Sequence, residues 1–75
     1  MIAYILIATE HGEEEEIFDK VSQIKQVESA HIIFGEWDII IKVSVENSEE
    51  LAAIIMDHLR KLSGVRLTSS LIVAR

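Results

Sequence analysis

Two periods of apolar and polar residues alternate along this chain. Ile2 to Thr9 is an almost unbroken apolar run rich in β-formers, closed by Glu10-His11-Gly12. Such a run fits a strand and its exit. From Glu13 to Gln26 the period becomes helical, with Ile17, Val21 and Ile24 on one stripe and Phe18 beside it. The spacing predicts a helix over 13–26. Its first turn is Glu13-Glu14-Glu15-Glu16, and negative charge there is favoured by the helix dipole by about 0.3–1 kcal/mol per well-placed group. The simplest reading of that run is a solvated helix start.

Strand character returns over Glu28–Gly35 and Asp38–Glu46, with Gly35-Glu36-Trp37-Asp38 as the turn between them. A second helix opens at Asn47-Ser48-Glu49-Glu50, where Asn47 and Glu50 have the spacing of a capping box. Leu51, Ile54, Ile55, His58, Leu59 and Leu62 mark its buried stripe, and Gly64 fits the residue just past its end. Val65 to Ala74 reads as the last strand. The order is βαββαβ, the ferredoxin-like arrangement of the α+β class: a four-stranded antiparallel sheet with two helices on one face.

In that topology the first and third strands are central. Both are apolar on both faces: Tyr4 and Leu6 against Ile5 and Ile7, and Ile40 against Ile39, Ile41, Val43 and Val45. Two helices cover only one face of the sheet. The other face is therefore predicted to associate, two sheets packing face to face in a dimer.

Composition agrees with one small domain, residues 1–75. A chain of 75 residues buries only about 60–65% of its unfolded surface and usually needs a staple or a partner. There is no cysteine, so disulfides and cysteine–zinc sites are excluded, which fits a cytoplasmic protein. Three scattered histidines, His11, His31 and His58, have no metal-motif spacing. No metal and no cofactor are expected, and His31 is expected to be a buried, satisfied histidine. The net charge of −6, with seven basic residues spread along the chain, argues against direct nucleic-acid binding. No apolar run approaches the roughly 20 residues of a membrane span, and no signal peptide is expected.

The whole chain resembles the C-terminal effector domain, or RAM domain, of the Lrp/AsnC regulators. The resemblance is carried by the element order and by Gly35-Glu36-Trp37-Asp38 at the family's Gly-acidic-aromatic-Asp turn. Ser48-Glu49-Glu50-Leu51 fits the second helix start. Leu62-Ser63-Gly64-Val65, Leu67-Thr68-Ser69-Ser70 and Leu71-Ile72-Val73 fit the ending. ACT domains share the strand order, but usually have a glycine-rich loop after the first strand. The resemblance implies an amino-acid-binding, non-catalytic module of transcription regulation. It also implies dimers through the sheets that assemble into octamers or decamers, with effectors in clefts between dimers. Full-length members carry a helix-turn-helix domain. Here the first strand begins at Ile2, so no DNA-binding domain is expected, and a DNA-binding relative is a further candidate partner.

The candidate site follows from the chemistry of a free amino acid, a zwitterion whose ammonium needs acceptors and whose carboxylate needs donors. Asp38, with Glu36 beside it, is the candidate for the ammonium. Backbone N–H groups at Gly35 and the hydroxyls of Thr68, Ser69 and Ser70 are candidates for the carboxylate or a polar side chain. Thr68 and Ser70 share one sheet face. Trp37 closes over an apolar group or anchors a subunit contact. The family usually has tyrosine at the position of Trp37 and often aspartate at that of Glu36. Blander roles stand beside these: Asp38 as a turn cap, Thr68 and Ser70 as ordinary strand hydroxyls, Gly35 as turn geometry. Two other functions compete: a dimeric ferredoxin-like barrel enzyme of the small oxygenase or isomerase type, and a structural adaptor without a ligand, which an indole filling the cleft would favour.

Overall fold

A computed structural model describes all 75 residues. The elements are β1 (Ile2–Thr9), α1 (Glu14–Val21), β2 (Val27–Ile32), β3 (Ile39–Ser44), α2 (Ser48–Ala53) and β4 (Val65–Ile72). All four strands pair antiparallel in the order β2-β3-β1-β4, as the βαββαβ order predicts. The core lies between the sheet and the helices. Ala3, Ile5 and Ile7 of β1 and Ile39, Ile41 and Val43 of β3 meet Ile17 and Val21 of α1 and Leu51 of α2.

Several boundaries differ from the pattern. α1 ends at Val21, and Ser22 to Gln26 form successive turns. Ser22 Oγ donates to the Phe18 carbonyl at 2.7 Å, a local bond that competes with helix continuation. Ile24 still packs against the core, from a turn. Strands β2 and β3 stop short of Gly35 and Asp38, so the connection is wider than the tetrapeptide. Ile33 and Asp38 remain linked by one bond, the Ile33 N–H donating to the Asp38 carbonyl at 2.8 Å.

The second helix starts as expected, with Asn47 Oδ1 accepting the Glu50 N–H at 2.9 Å. The return bond is shifted one residue back: Glu50 Oε1 accepts the N–H of Glu46, at 2.7 Å. Glu50 Oε2 also accepts from Gln26 Nε2 at 3.0 Å. The Glu46 bond, and then the Gln26 bond, hold the Glu50 carboxyl below its usual range.

After Ala53 the helix widens into a π-helical turn, Ile54–His58, and tightens into a 3₁₀ turn, Leu59–Lys61. This overturns the placement of His58 on the buried stripe. An α-helical period carries the stripe from Ile54 to His58, but the wide turn adds a residue. Leu59 is therefore fully buried and His58 is exposed. The chain then turns back through Gly64, whose φ of +100° suits glycine.

The uncovered sheet face carries Tyr4 and Leu6 of β1, Ile40 of β3, and Leu67 and Leu71 of β4, aligned by the registers Tyr4↔Leu71, Leu6↔Ile40, Leu6↔Ser69 and Ala8↔Leu67. Leu67 and Leu71 are 58% and 54% exposed. His31, opposite Ile40 on this face, is also exposed. The expectation of a buried His31 fails for the single chain because β2 is an edge strand and the helices lie on its other side.

Candidate functional site

The Gly35–Asp38 turn stands at the end of the sheet where β1 finishes. Gly35 has a φ of +139°, a backbone that side chains rarely adopt. Phe34 and Glu36 beside it are exposed, Phe34 completely, while Trp37 is half-buried.

Asp38 is anchored to β1 by three bonds. Its N–H donates to the Ile7 carbonyl at 3.0 Å, continuing the β1–β3 ladder. Its side-chain Oδ2 accepts the Thr9 N–H at 2.8 Å and the Thr9 hydroxyl at 3.3 Å. β3 leaves β1 at this level, so the carboxylate substitutes for the missing ladder carbonyl. Thr9 is buried, and a buried N–H without an acceptor is costly. Asp38 therefore fixes the turn to the sheet, and Oδ1 accepts no bond within the chain.

The serine and threonine candidates do not converge with the turn in one chain. Thr68 pairs with Ile7 on the β4 side of β1, whereas Asp38 lies on the β3 side. One strand intervenes. Thr68 and Ser70 share the helix-side face, as the alternation predicts. Ser69 lies on the uncovered face beside Leu6.

Thr68 lines a depression of about 290 Å³ with Arg60, Val65, Arg66 and Leu67. The two arginines are not singled out by the sequence pattern, because Val65-Arg66-Leu67 reads as ordinary alternation. A bulge alters that reading. Ala8 pairs with Leu67 and Thr9 with Val65, so Arg66 has no partner across the ladder. A larger depression, about 610 Å³, lies at the opposite end of the sheet and includes Met1, Gln26 and Glu50. Several of its polar groups are already engaged: the Met1 ammonium donates to the Val45 carbonyl at 2.8 Å, and Glu50 holds Gln26 and Glu46. No three metal-binding side chains converge, and no helix is long and apolar enough to cross a membrane.

The family model described as the Lrp/AsnC ligand binding domain matches residues 2–75. The HTH-type transcriptional regulator PF0250 of Pyrococcus furiosus is 36% identical over 59 residues, 79% of this chain and 39% of that regulator. The chain spans less than half the length of the curated relatives it matches. Two crystal structures are similar over most of their own length. FFRP-DM1 is 32% identical with a TM-score of 0.90, over 96% of both chains. The hypothetical protein PHS023 from Pyrococcus horikoshii is 32% identical with a TM-score of 0.90, over 100% of this chain and 92% of that one. The regulator NMB0573 of Neisseria meningitidis, solved as a complex with L-methionine, shares the fold. Its TM-score is 0.89 at 20% identity, over 99% of this chain and 49% of that one.

Proposed function

Because the chain belongs to the Lrp/AsnC ligand binding domain family, we propose that it is a non-catalytic effector module of transcription regulation that works as an oligomer and binds a free amino acid. The observation that carries this reading is the family match over residues 2–75. The L-methionine complex of NMB0573, a protein of the same fold, supports an amino acid as the ligand class.

The geometry supports the oligomer. The face bearing Tyr4, Leu6, Ile40, Leu67 and Leu71 has no helix over it, and an apolar area of that kind is an association surface. Two copies packed through this face form the dimer, and dimers assemble further into octamers or decamers. The split between the Gly35–Asp38 turn and Thr68 supports a site completed by neighbouring chains. In such a site Glu36 and the unengaged Oδ1 of Asp38 are the acceptors for an ammonium. Asp38 contributes mainly by holding the turn, and Trp37 closes one wall. The relatives are HTH-type transcriptional regulators, so a DNA-binding relative is the natural partner. Effector binding then changes regulation by as much as its affinity differs between assembly states. The enzyme alternative gains no support, because Tyr4, His31 and Lys42, which line a depression on the uncovered face, share no hydrogen bond. Lys42 is instead 3.7 Å from Glu28.

Light scattering with and without each of the twenty amino acids, paired with thermal shift, tests the proposal. A ligand at 100 times its dissociation constant stabilises by about 2.7 kcal/mol, a clear shift for a chain this small. An assembly larger than a dimer that changes with one amino acid is expected. A particle indifferent to all twenty would overturn the effector reading.

A further inference from the structure

We propose that the depression between the 3₁₀ turn and the start of β4 binds a small dicarboxylate, held by Arg60 and Arg66 with Thr68 donating a hydroxyl bond. This deepens the effector reading and rests on it, because Thr68 belongs to that candidate site.

Charge is the first observation. The chain carries thirteen acidic and seven basic residues, yet its ion pairs are only Lys20–Glu16 and Lys42–Glu28. Neither Arg60 nor Arg66 forms an ion pair, and both line one depression of about 290 Å³. In a molecule of net charge −6, two unpaired guanidinium groups around one hollow make a local cationic site against a repelling background. Guanidinium forks bind carboxylates through two parallel bonds. A zwitterion without a charged side chain brings one carboxylate and no net charge. A dicarboxylate gives each arginine its own partner.

Backbone placement is the second observation. Arg66 is the extra residue of the β-bulge between the Ala8↔Leu67 and Thr9↔Val65 pairs. Bulges re-aim side chains and recur beside functional sites. Arg60 is presented by the 3₁₀ turn Leu59–Lys61, whose position is fixed by the buried Leu59. The third is composition of the walls. Val65 is apolar and Thr68 is half-buried, so a short methylene chain is accommodated between the charged ends. The volume falls at the lower limit of small-molecule sites, about 300 Å³, which suits a metabolite of amino-acid size.

The test is calorimetry on the full chain with L-glutamate, its neutral isostere L-glutamine, and glutarate, which lacks the ammonium. L-Glutamate is expected to bind at least tenfold more tightly than L-glutamine. Arg60→Gln and Arg66→Gln are each expected to weaken L-glutamate at least tenfold. Both side chains are exposed, so circular dichroism and light scattering should show the same fold and assembly in the variants. Equal affinity for L-glutamate and L-glutamine, no binding of either dicarboxylate, or unchanged affinity in both variants would overturn the inference. Should a neutral amino acid shift assembly equally in the wild type and both variants, the dicarboxylate inference falls and the effector module stands. Should glutarate bind through the two arginines while no amino acid changes melting or assembly, the pocket stands and the effector reading falls.

Discussion

Replacing Asp38 by alanine removes the acceptor of a buried backbone donor. Thr9 is 4% exposed, and its N–H has Asp38 Oδ2 at 2.8 Å as partner. Leaving such a donor unsatisfied costs about 1–3 kcal/mol, towards the upper part when the lost acceptor is charged. The hydroxyl bond from Thr9, at 3.3 Å, is long and adds little. In a domain of this size each kcal/mol moves the melting temperature by about 4–8 °C, so Asp38→Ala should lower it by roughly 5–20 °C. Asp38→Asn keeps a carbonyl oxygen in place and exchanges a charged acceptor for a neutral one, a loss of about 1 kcal/mol. Thr9→Val keeps the N–H and removes only the long hydroxyl bond, so it should destabilise less than Asp38→Ala. The assay is urea unfolding at one protein concentration, since an oligomer's stability depends on it, with hydrogen exchange read at the Thr9 amide. The ordering Ala below Asn below wild type, with faster Thr9 exchange in the alanine variant, is expected. An alanine variant with an unchanged midpoint and a protected Thr9 amide would refute the anchoring role and return the carboxylate to a ligand role alone.

Further outcomes follow from the sheet, the helix and the cap. Leu6→Glu places a charge on the uncovered face and should convert the oligomer to a monomer by light scattering; an unchanged assembly would remove that face as the dimer surface. Leu59→Ala should cost about 2–5 kcal/mol as a core truncation, whereas His58→Ala should change the urea midpoint little, although the helical stripe placed both side chains in the core. Glu50 has its folded pKa lowered by Glu46 and Gln26. Its contribution is thus fully present above the unfolded value and lost as pH falls through the carboxylate range. Stability measured from pH 6 down to pH 3 should decline less steeply in Glu50→Gln than in the wild type, and parallel curves would dismiss the cap as a pH-dependent element.

The architecture was legible because each element carries a local signal. Ile5 and Ile7 alternate with Tyr4 and Leu6, Ile17 and Val21 are one helical turn apart, and Asn47 caps a helix as its type predicts. The tetrapeptide was legible as a turn from Gly35 and its neighbours, but the role of Asp38 was not. Its acceptor duty depends on Thr9, twenty-nine residues away, and no local pattern encodes where a ladder runs out. The π-helical turn and the Arg66 bulge escape for a related reason. Each inserts one residue against a fixed period, and the decision is made by packing and pairing with distant segments. The arginine pair is hidden likewise, since Arg60 and Arg66 come together only once the chain reverses at Gly64.

The wide turn at Ile54–His58 has a consequence for comparing sequences. Deleting one residue between Ile54 and Leu59 would restore an α-helical interval and leave the same two side chains against the sheet. The length of this segment is therefore uncoupled from what the core receives, and it is a natural place for single-residue gaps among relatives. Matched residue by residue across it, a gapless relative with a regular helix would set His58 against a buried leucine, a mismatch of frame rather than of chemistry.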